Sequence, residues 1–525
     1  MKKFLLVACA CMSFSAAQAQ TAISDEMAFK IKNEAFANSD INKLSMYMTD
    51  LLGSRLAASE MKLRSEELVI KKLAEYGLSN PRSEFATDFA KGGWDSEKNY
   101  VAMTKPYYCS YAANPKAWTG STKGLVKGEV IMPGQIQTEA DLEKWRGKLS
   151  GKIILMPVTQ QYSISFDPLA FRYTDEELAV METDARPGRH NYRRQTGAPR
   201  AAAAMPSREQ MMKQRELQQK FSQMLKDEGA LAIINTRGTF NVTSGSGAQY
   251  KVGDPEPLPE LTLPLEDGGR MARLIQMGEK VEMELEIKNK FTDNQKINNV
   301  VAEIPGTDPK LKNEVVLIGG HLDSWHSATG AADNASGCIV MMEALRILKT
   351  LGVQPKRTIR IALWGGEEQG LYGSRGYLQN YLFDSQKKKT LPGYNNFALY
   401  LNMDNGSGRF RGIYLEQNDL AKPFFEAWKA PIESLGFKTL SPRTTGSTDH
   451  VTFDRVGLPA YQFIQDELEY DRTYHTNMDT WERLSLDDLK IDAAIVAVIA
   501  LSAANDSGRI PVKPGYPEAA TASMR

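Results

Sequence analysis

The sequence predicts an α/β protein: an open, mixed, mostly parallel sheet sandwiched by helices, with a smaller α/β unit inserted into it. Three observations carry that expectation. Beyond about residue 298, apolar runs of strand length recur at 315–318, 359–363, 398–401 and 461–464. Helical stretches, for example 335–349 and 422–434, alternate with them, and such alternation places helices on both faces of an open sheet. Upstream, a second and smaller strand–helix alternation runs from about 122 to about 278.

Taken in order, residues 1–19 read as a leader. Lys2 and Lys3 precede an apolar run from Phe4, and Ala17-Gln18-Ala19 forms a small-x-small site. That is the pattern of a secretory signal cleaved after Ala19, which implies a secreted or periplasmic protein. Cys9 stands too close to the initiator to be a lipid-acylation site. The apolar stretch 493–504 is shorter than the roughly 20 residues needed to cross a bilayer, so it reads as a core helix. With Cys9 and Cys11 removed with the leader, Cys109 and Cys338 remain, too few for a disulfide framework or a thiolate zinc site.

Residues 20–121 supply the N-terminal part of the main domain, with a helix expected over 59–76 and strands and connections over 97–120. The segment 122–278 carries short strands at 124–132, 151–156, 230–234 and 259–265, with helices at 138–149, 214–228 and 267–277. Within it, 160–213 is a long polar excursion rich in Arg, Glu and Gln. It is expected to be partly helical; Arg193-Arg194 and their neighbours could touch an acidic ligand, though the usual meaning of such charge is a solvated face. Residues 279–525 complete the main domain.

The chain carries 64 Lys+Arg against 64 Asp+Glu, 42% apolar residues and 24% charged ones. That balance argues against a basic nucleic-acid-binding surface and against an anionic-membrane protein. Only five histidines occur, His190, His321, His326, His450 and His475, so histidine-dependent chemistry belongs to the C-terminal part.

There, each predicted strand is followed by ionisable residues. Gly-Gly-His321-Leu-Asp323-Ser-Trp325 follows the first, Trp-Gly-Gly-Glu367-Glu368-Gln-Gly the second, Asn402-Met-Asp404 the third, and a loop ending in Tyr474-His475-Thr476 the fourth. Asp333 lies in Gly330-Ala-Ala-Asp333-Asn334-Ala-Ser-Gly337, just before a helix. Open α/β sheets bind ligands at the carboxyl ends of their strands, so these side chains are expected to converge. Two imidazoles and three carboxylates suit a pair of divalent metals, and a shared carboxylate gives each metal three protein ligands. Glu367 and Glu368 are adjacent on a turn and point apart, so one can bind metal while the other acts as a base. Asp323, two residues after His321, suits an acceptor that fixes the imidazole tautomer.

Together these motifs resemble the co-catalytic di-zinc exopeptidase family of aminopeptidases, glutamate carboxypeptidase and carboxypeptidase Q. His321-Leu-Asp-Ser-Trp325, Pro355-Lys-Arg-Thr358 and Gly446-x-Thr448-Asp449 lie nearest its carboxypeptidase Q type. The resemblance implies the zinc exopeptidase fold, a protease-associated domain at 122–278, two Zn(2+) per chain and a peptide substrate. It makes Asp333 the bridge between the metals, with His321 and Asp404 on one and Glu368 and His475 on the other. Glu367 is then the general base and later the general acid. The peptide Asp333–Asn334 is the candidate for a cis bond, and Tyr474 for a hydroxyl that hydrogen-bonds the substrate carbonyl. His326 falls on the rim, and His450 in support of the pocket. A homodimer is compatible with the resemblance.

Two other readings use the same fold: a binding protein without catalysis and a glutaminyl cyclase. The complete ligand set and the paired glutamates favour hydrolysis. Which end of the peptide is held stays open. Asp466, Glu467 and Glu469 could hold an ammonium, and Arg443 and Arg472 a carboxylate.

Overall fold

A computed structural model describes residues 23–166, 168–184, 207–247 and 249–516. The leader at 1–19, His190 and Arg193-Arg194 lie outside the described residues.

The main sheet has eight strands: β1 (Ser79–Asp88), β2 (Lys296–Ile304), β3 (Val315–His321), β4 (Thr358–Trp364), β5 (Phe397–Asn402), β6 (Phe410–Tyr414), β7 (Thr439–Ser441) and β8 (Ala460–Gln465), in the spatial order β1-β2-β4-β3-β5-β8-β6-β7. Pairing is parallel for β3–β4, β3–β5, β5–β8 and β6–β7, and antiparallel for β1–β2, β2–β4 and β6–β8. This is the mixed, mostly parallel sheet expected.

Side-chain alternation explains why it is covered on both faces. Val316 and Ile318 of β3, Ile359, Ile361 and Leu363 of β4, and Leu399 and Leu401 of β5 enter one core. Their neighbours Leu317, Ala362, Trp364 and Tyr400 enter another. A one-residue slip would exchange the two sets, so register is strongly fixed. The first core is closed by the helices Asp25–Ala37, Ser336–Thr350 and Leu486–Asn505. The last of these is charged in its first two turns and, Ser502 apart, apolar on all sides over 493–504, where every residue is buried. Among the described residues, no helix is long and apolar enough to cross a membrane. The opposite core is closed by Tyr377, Leu378, Leu382, Phe453 and Val456.

From β3 the chain steps to β4 on one side and then to β5 on the other. Their carboxyl ends therefore diverge and open a crevice, the place where open sheets take ligands.

A second eight-stranded sheet runs in the order Cys109–Ser110, Gly93–Lys105, Glu282–Thr292, Val126–Ile131, Ile153–Leu155, Ala232–Thr236, Glu260–Leu263, Asn114–Pro115. Its strands come from 93–292, a wider span than the 122–278 segment marked in the sequence. Its centre is parallel. The helix Leu265–Gln276 packs on one face through Met271 and Ala272. The helix Arg208–Asp227 packs on the other through Leu217, Phe221 and Leu225.

The part of the excursion over 168–184 packs against the main sheet. Phe171 exchanges main-chain hydrogen bonds with Leu468, at 3.2 and 3.0 Å. The helix Asp175–Thr183 sits beside β7, with Tyr173, Leu178 and Met181 packed on Tyr414 and Ile464. The guanidinium of Arg172 reaches the buried carboxylates of Asp466, at 2.9 Å, and Asp488, at 2.7 Å. The excursion thus leaves the second sheet and docks on the edge of the first.

Candidate metal centre

The crevice gathers the residues singled out at the strand ends. His321 is the last residue of β3, and Glu367 and Glu368 lie on the turn after β4. Asp404 follows β5, and His475 closes the loop after β8. Asp333 lies on the loop after β3, immediately before the helix Ser336–Thr350, and its peptide to Asn334 is cis. The Asp333 carboxylate stands between the two imidazoles. Its Oδ1 lies 3.2 Å from His321 Nε2 and its Oδ2 3.2 Å from His475 Nε2. His321 Nε2 is also 3.3 Å from Asp404 Oδ1, and His475 Nε2 is 2.8 Å from Glu368 Oε2. Donor atoms of His321, Glu367 and Asp404 fall within 4.8 Å of one another, as do those of Asp333, Glu368 and His475.

The support beneath these groups is main-chain hydrogen bonding. His321 Nδ1 lies 2.9 Å from the carbonyl oxygen of Asp323. A carbonyl only accepts, so Nδ1 carries the proton and Nε2 turns its lone pair toward the carboxylates. This corrects the role expected for Asp323. Its carbonyl, not its carboxylate, holds the imidazole. The carboxylate, fully buried, accepts the amides of Glu367 at 3.1 Å and Glu368 at 3.2 Å and so sets the turn that presents both glutamates.

Two supporting residues were missed in the sequence. The Asp479 carboxylate accepts the amides of Ala332 at 2.6 Å and Asp333 at 3.1 Å. Arg55, fully buried, donates to the carbonyls of Leu322, Thr329 and Gly330. The only sequence signal for Asp479 is its place four residues after His475. Arg55 has none.

Electrostatics follow from crowding acids in a buried space. Burial pushes the Glu367 carboxyl well above its usual range, with Asp404, Asp449 and Glu368 adding to the effect. Burial and the charge of Asp333 raise Glu368 to about 7. For His475, burial opposes the charged form, but Glu368 and Asp333 more than offset it and raise the imidazole to about 10. Burial opposes charge on His321 too, and Asp404 and Asp333 overcome it. The set therefore demands positive charge at its centre. Glu368 Oε1 is buried and has no hydrogen-bond donor among the described residues. Asp333 Oδ2 is likewise buried without one, and imidazole nitrogens and carboxylate oxygens with two unmatched buried acceptors fit a pair of divalent cations.

The remaining sequence candidates are placed as follows. The Tyr474 ring stacks on His475 with centroids 3.7 Å apart, and the residue is 49% exposed. His326 Nε2 donates to the Pro115 carbonyl at 2.6 Å and its ring packs edge-on against Trp94. It joins the two sheets rather than standing free on the rim. His450 is fully buried, 3.4 Å from Glu416. Four of the five charged residues considered for a substrate terminus are held in internal ion pairs. Asp466 pairs with Arg172 and Arg411, Glu469 with Arg472 and Arg483, and Arg443 with Asp184. Glu467 is buried. The second sheet also pins the His475 loop. The Ser244 amide donates to the His475 carbonyl at 2.7 Å, and Val242 and Asn477 exchange hydrogen bonds at 2.8 and 2.9 Å.

Residues 299–500 match the model of Peptidase family M28. That span contains all five proposed ligands and Glu367. The chain is 30% identical over 286 residues to carboxypeptidase Q of Bos taurus, across 54% of this chain and 58% of the relative's length. It is 28% identical over 268 residues to aminopeptidase YwaD of Bacillus subtilis, across 50% and 54% of the two chains. Among solved structures, a peptidase M28 precursor from Shewanella amazonensis superposes with a TM-score of 0.63 at 21% identity, covering 93% of this chain and 99% of that one. A zinc aminopeptidase from Bacillus subtilis gives 0.51 at 18%, covering 90% and 98%. These two share the fold.

Proposed function

We propose that this protein, whose residues 299–500 match the model of Peptidase family M28, is a secreted or periplasmic di-zinc exopeptidase that hydrolyses short peptides or dipeptides. One observation carries the reading: a single carboxylate, that of Asp333, lies 3.2 Å from each of two histidine nitrogens. His321 and Asp404 would complete one zinc site and Glu368 and His475 the other. Zinc bound there supplies the Lewis acidity that polarises a peptide carbonyl and makes a nearby water acidic.

The protein's own residues do the rest. The Glu367 carboxylate takes the proton from the attacking water and returns it to the leaving amine. Asp323 holds Glu367 and Glu368 through their amides, so base and ligand keep fixed positions relative to each other. Tyr474 would donate its hydroxyl hydrogen to the substrate carbonyl oxygen, a role supported by its stacking on His475. The unit at 122–278 is read as a protease-associated domain that walls the cleft, a reading supported by its contacts with the His475 loop.

Metal content and dipeptide hydrolysis, measured for the wild type and Glu367→Gln, test this. The variant is expected to keep its zinc and lose about 10²- to 10⁴-fold in turnover, the range of a general base. Wild-type turnover with zinc bound would remove Glu367 from that role. Metal-free protein at neutral pH in added zinc would favour the binding-protein reading. Ammonia release from an N-terminal Gln peptide would favour the cyclase.

A further inference from the structure

We infer that Arg55 and Asp479 are positioning residues that set the spacing between the two groups of ligands. The inference rests on the di-zinc reading above and adds two residues to it, one of them outside the 299–500 span. The loop 322–333 has a ligand at each end. His321 precedes it, in the group with Glu367 and Asp404, and Asp333 ends it, in the group with Glu368 and His475. The turn carrying Glu367 and Glu368 is one link between the two groups, and the shape of this loop, which has no regular hydrogen bonding of its own until Ala331, is the other.

Two side chains supply what the loop lacks. Arg55 binds its carbonyls: Nε to Leu322 at 2.7 Å, Nη1 to Thr329 at 2.6 Å and Nη2 to Gly330 at 3.0 Å. Its own backbone is tied to the loop as well, since its amide donates to Ser324 Oγ at 3.0 Å and its carbonyl accepts the Ser324 amide at 3.1 Å. Asp479 binds the amides of Ala332 and Asp333 from the other side, at 2.6 and 3.1 Å. The planar guanidinium reaches both ends of the loop's bend at once, which an ammonium on a flexible stem does not do.

Burying a guanidinium is costly without compensation, and here its donors go to carbonyls rather than to a carboxylate. The acids around the loop supply the long-range balance: Asp479, Asp323 and Asp333 all lie near enough to act on Arg55. Arg55 and Asp479 thus hold the shape of the loop between them, and the guanidinium sets its positive charge beneath the ligands.

The test is a zinc titration of chelator-stripped, full-length protein against a competing chromophoric chelator, alongside melting of the metal-free protein. Wild type is expected to take two equivalents. Arg55→Met and Asp479→Asn are expected to take the first, and to bind the second at least about tenfold more weakly, the usual cost of losing a residue that orients ligands. Arg55→Lys should recover part of that loss. A purely structural role lowers metal-free melting and leaves both affinities unchanged, and that result overturns the inference. Should Arg55→Met not fold, the near-isosteric Asp479→Asn carries the test alone. If wild type itself takes fewer than two equivalents, the di-zinc reading falls and the inference with it. Two equivalents in wild type with unchanged variants remove only the inference.

Discussion

The carboxylate of Asp323 accepts the amide of Glu367 at 3.1 Å, while the carbonyl of the same residue holds His321 at 2.9 Å. One residue therefore couples a ligand at the end of β3 to the base and ligand on the turn after β4. Hydrogen bonds to a buried charged group contribute about 1.5–3 kcal/mol each, and two of them converge on this carboxylate.

Asp323→Asn is expected to keep the imidazole contact, which uses the main chain, and to disturb the turn. An amide side chain can accept only one of the two N–H groups and turns its own N–H toward the other. Turnover should fall about 10- to 100-fold with the tautomer of His321 unchanged. Steady-state kinetics combined with imidazole NMR check both halves.

His326 predicts an acid-sensitive joint between the two sheets. Burial lowers its pKa from 6.5 to about 4, opposed by the Pro115 carbonyl. Between those values the unfolded chain binds the proton and the folded one does not, so stability is fully present above about pH 6.5 and is lost as pH falls toward 4. The loss should reach up to about 3 kcal/mol. Chemical denaturation at pH 7.5 and 4.5 measures it, and His326→Gln should flatten the difference.

The docked excursion predicts a stability effect far from the metal centre. Asp466 is buried and receives Arg172, Arg411 and the Tyr173 amide at 3.0 Å. Asp466→Ala takes a shared carboxylate from Arg411 and from the half-exposed Arg172, which keeps Asp488 at 2.7 Å, so the cost is about 1.5–3 kcal/mol, that of hydrogen bonds to a charged group. Denaturation midpoints should fall, and limited proteolysis near 171–184 should accelerate. The same variant should change turnover on longer peptides more than on dipeptides if the excursion walls the cleft.

Much of this was legible in the sequence because the chemistry and the strand pattern coincide. His321, Glu367 with Glu368, and Asp404 each stand directly after an apolar run, and the switch in strand order around β3 brings those ends together. Asp333 and His475 were legible from residue type within short motifs. What escaped was support carried by main-chain hydrogen bonds across long sequence separations. Arg55 reaches the carbonyls of residues more than 250 positions away, and neither periodicity nor spacing marks such a pairing. Asp323 was assigned by its side chain when its carbonyl makes the contact. Asp466 read as a possible holder of a substrate ammonium because its partners Arg172 and Arg411 lie in other elements. The second sheet exceeded its expected bounds because its longest antiparallel pair, Gly93–Lys105 with Glu282–Thr292, comes from the flanks of the segment.

Zinc stoichiometry of the stripped and reloaded protein tests the central claim most directly, because the claim is that one carboxylate serves two cations. Wild type should bind two zinc ions per chain, and Asp333→Ala should bind no more than one tightly and lose turnover. Two tightly bound ions in Asp333→Ala, or a single ion in fully active wild type, would contradict the account.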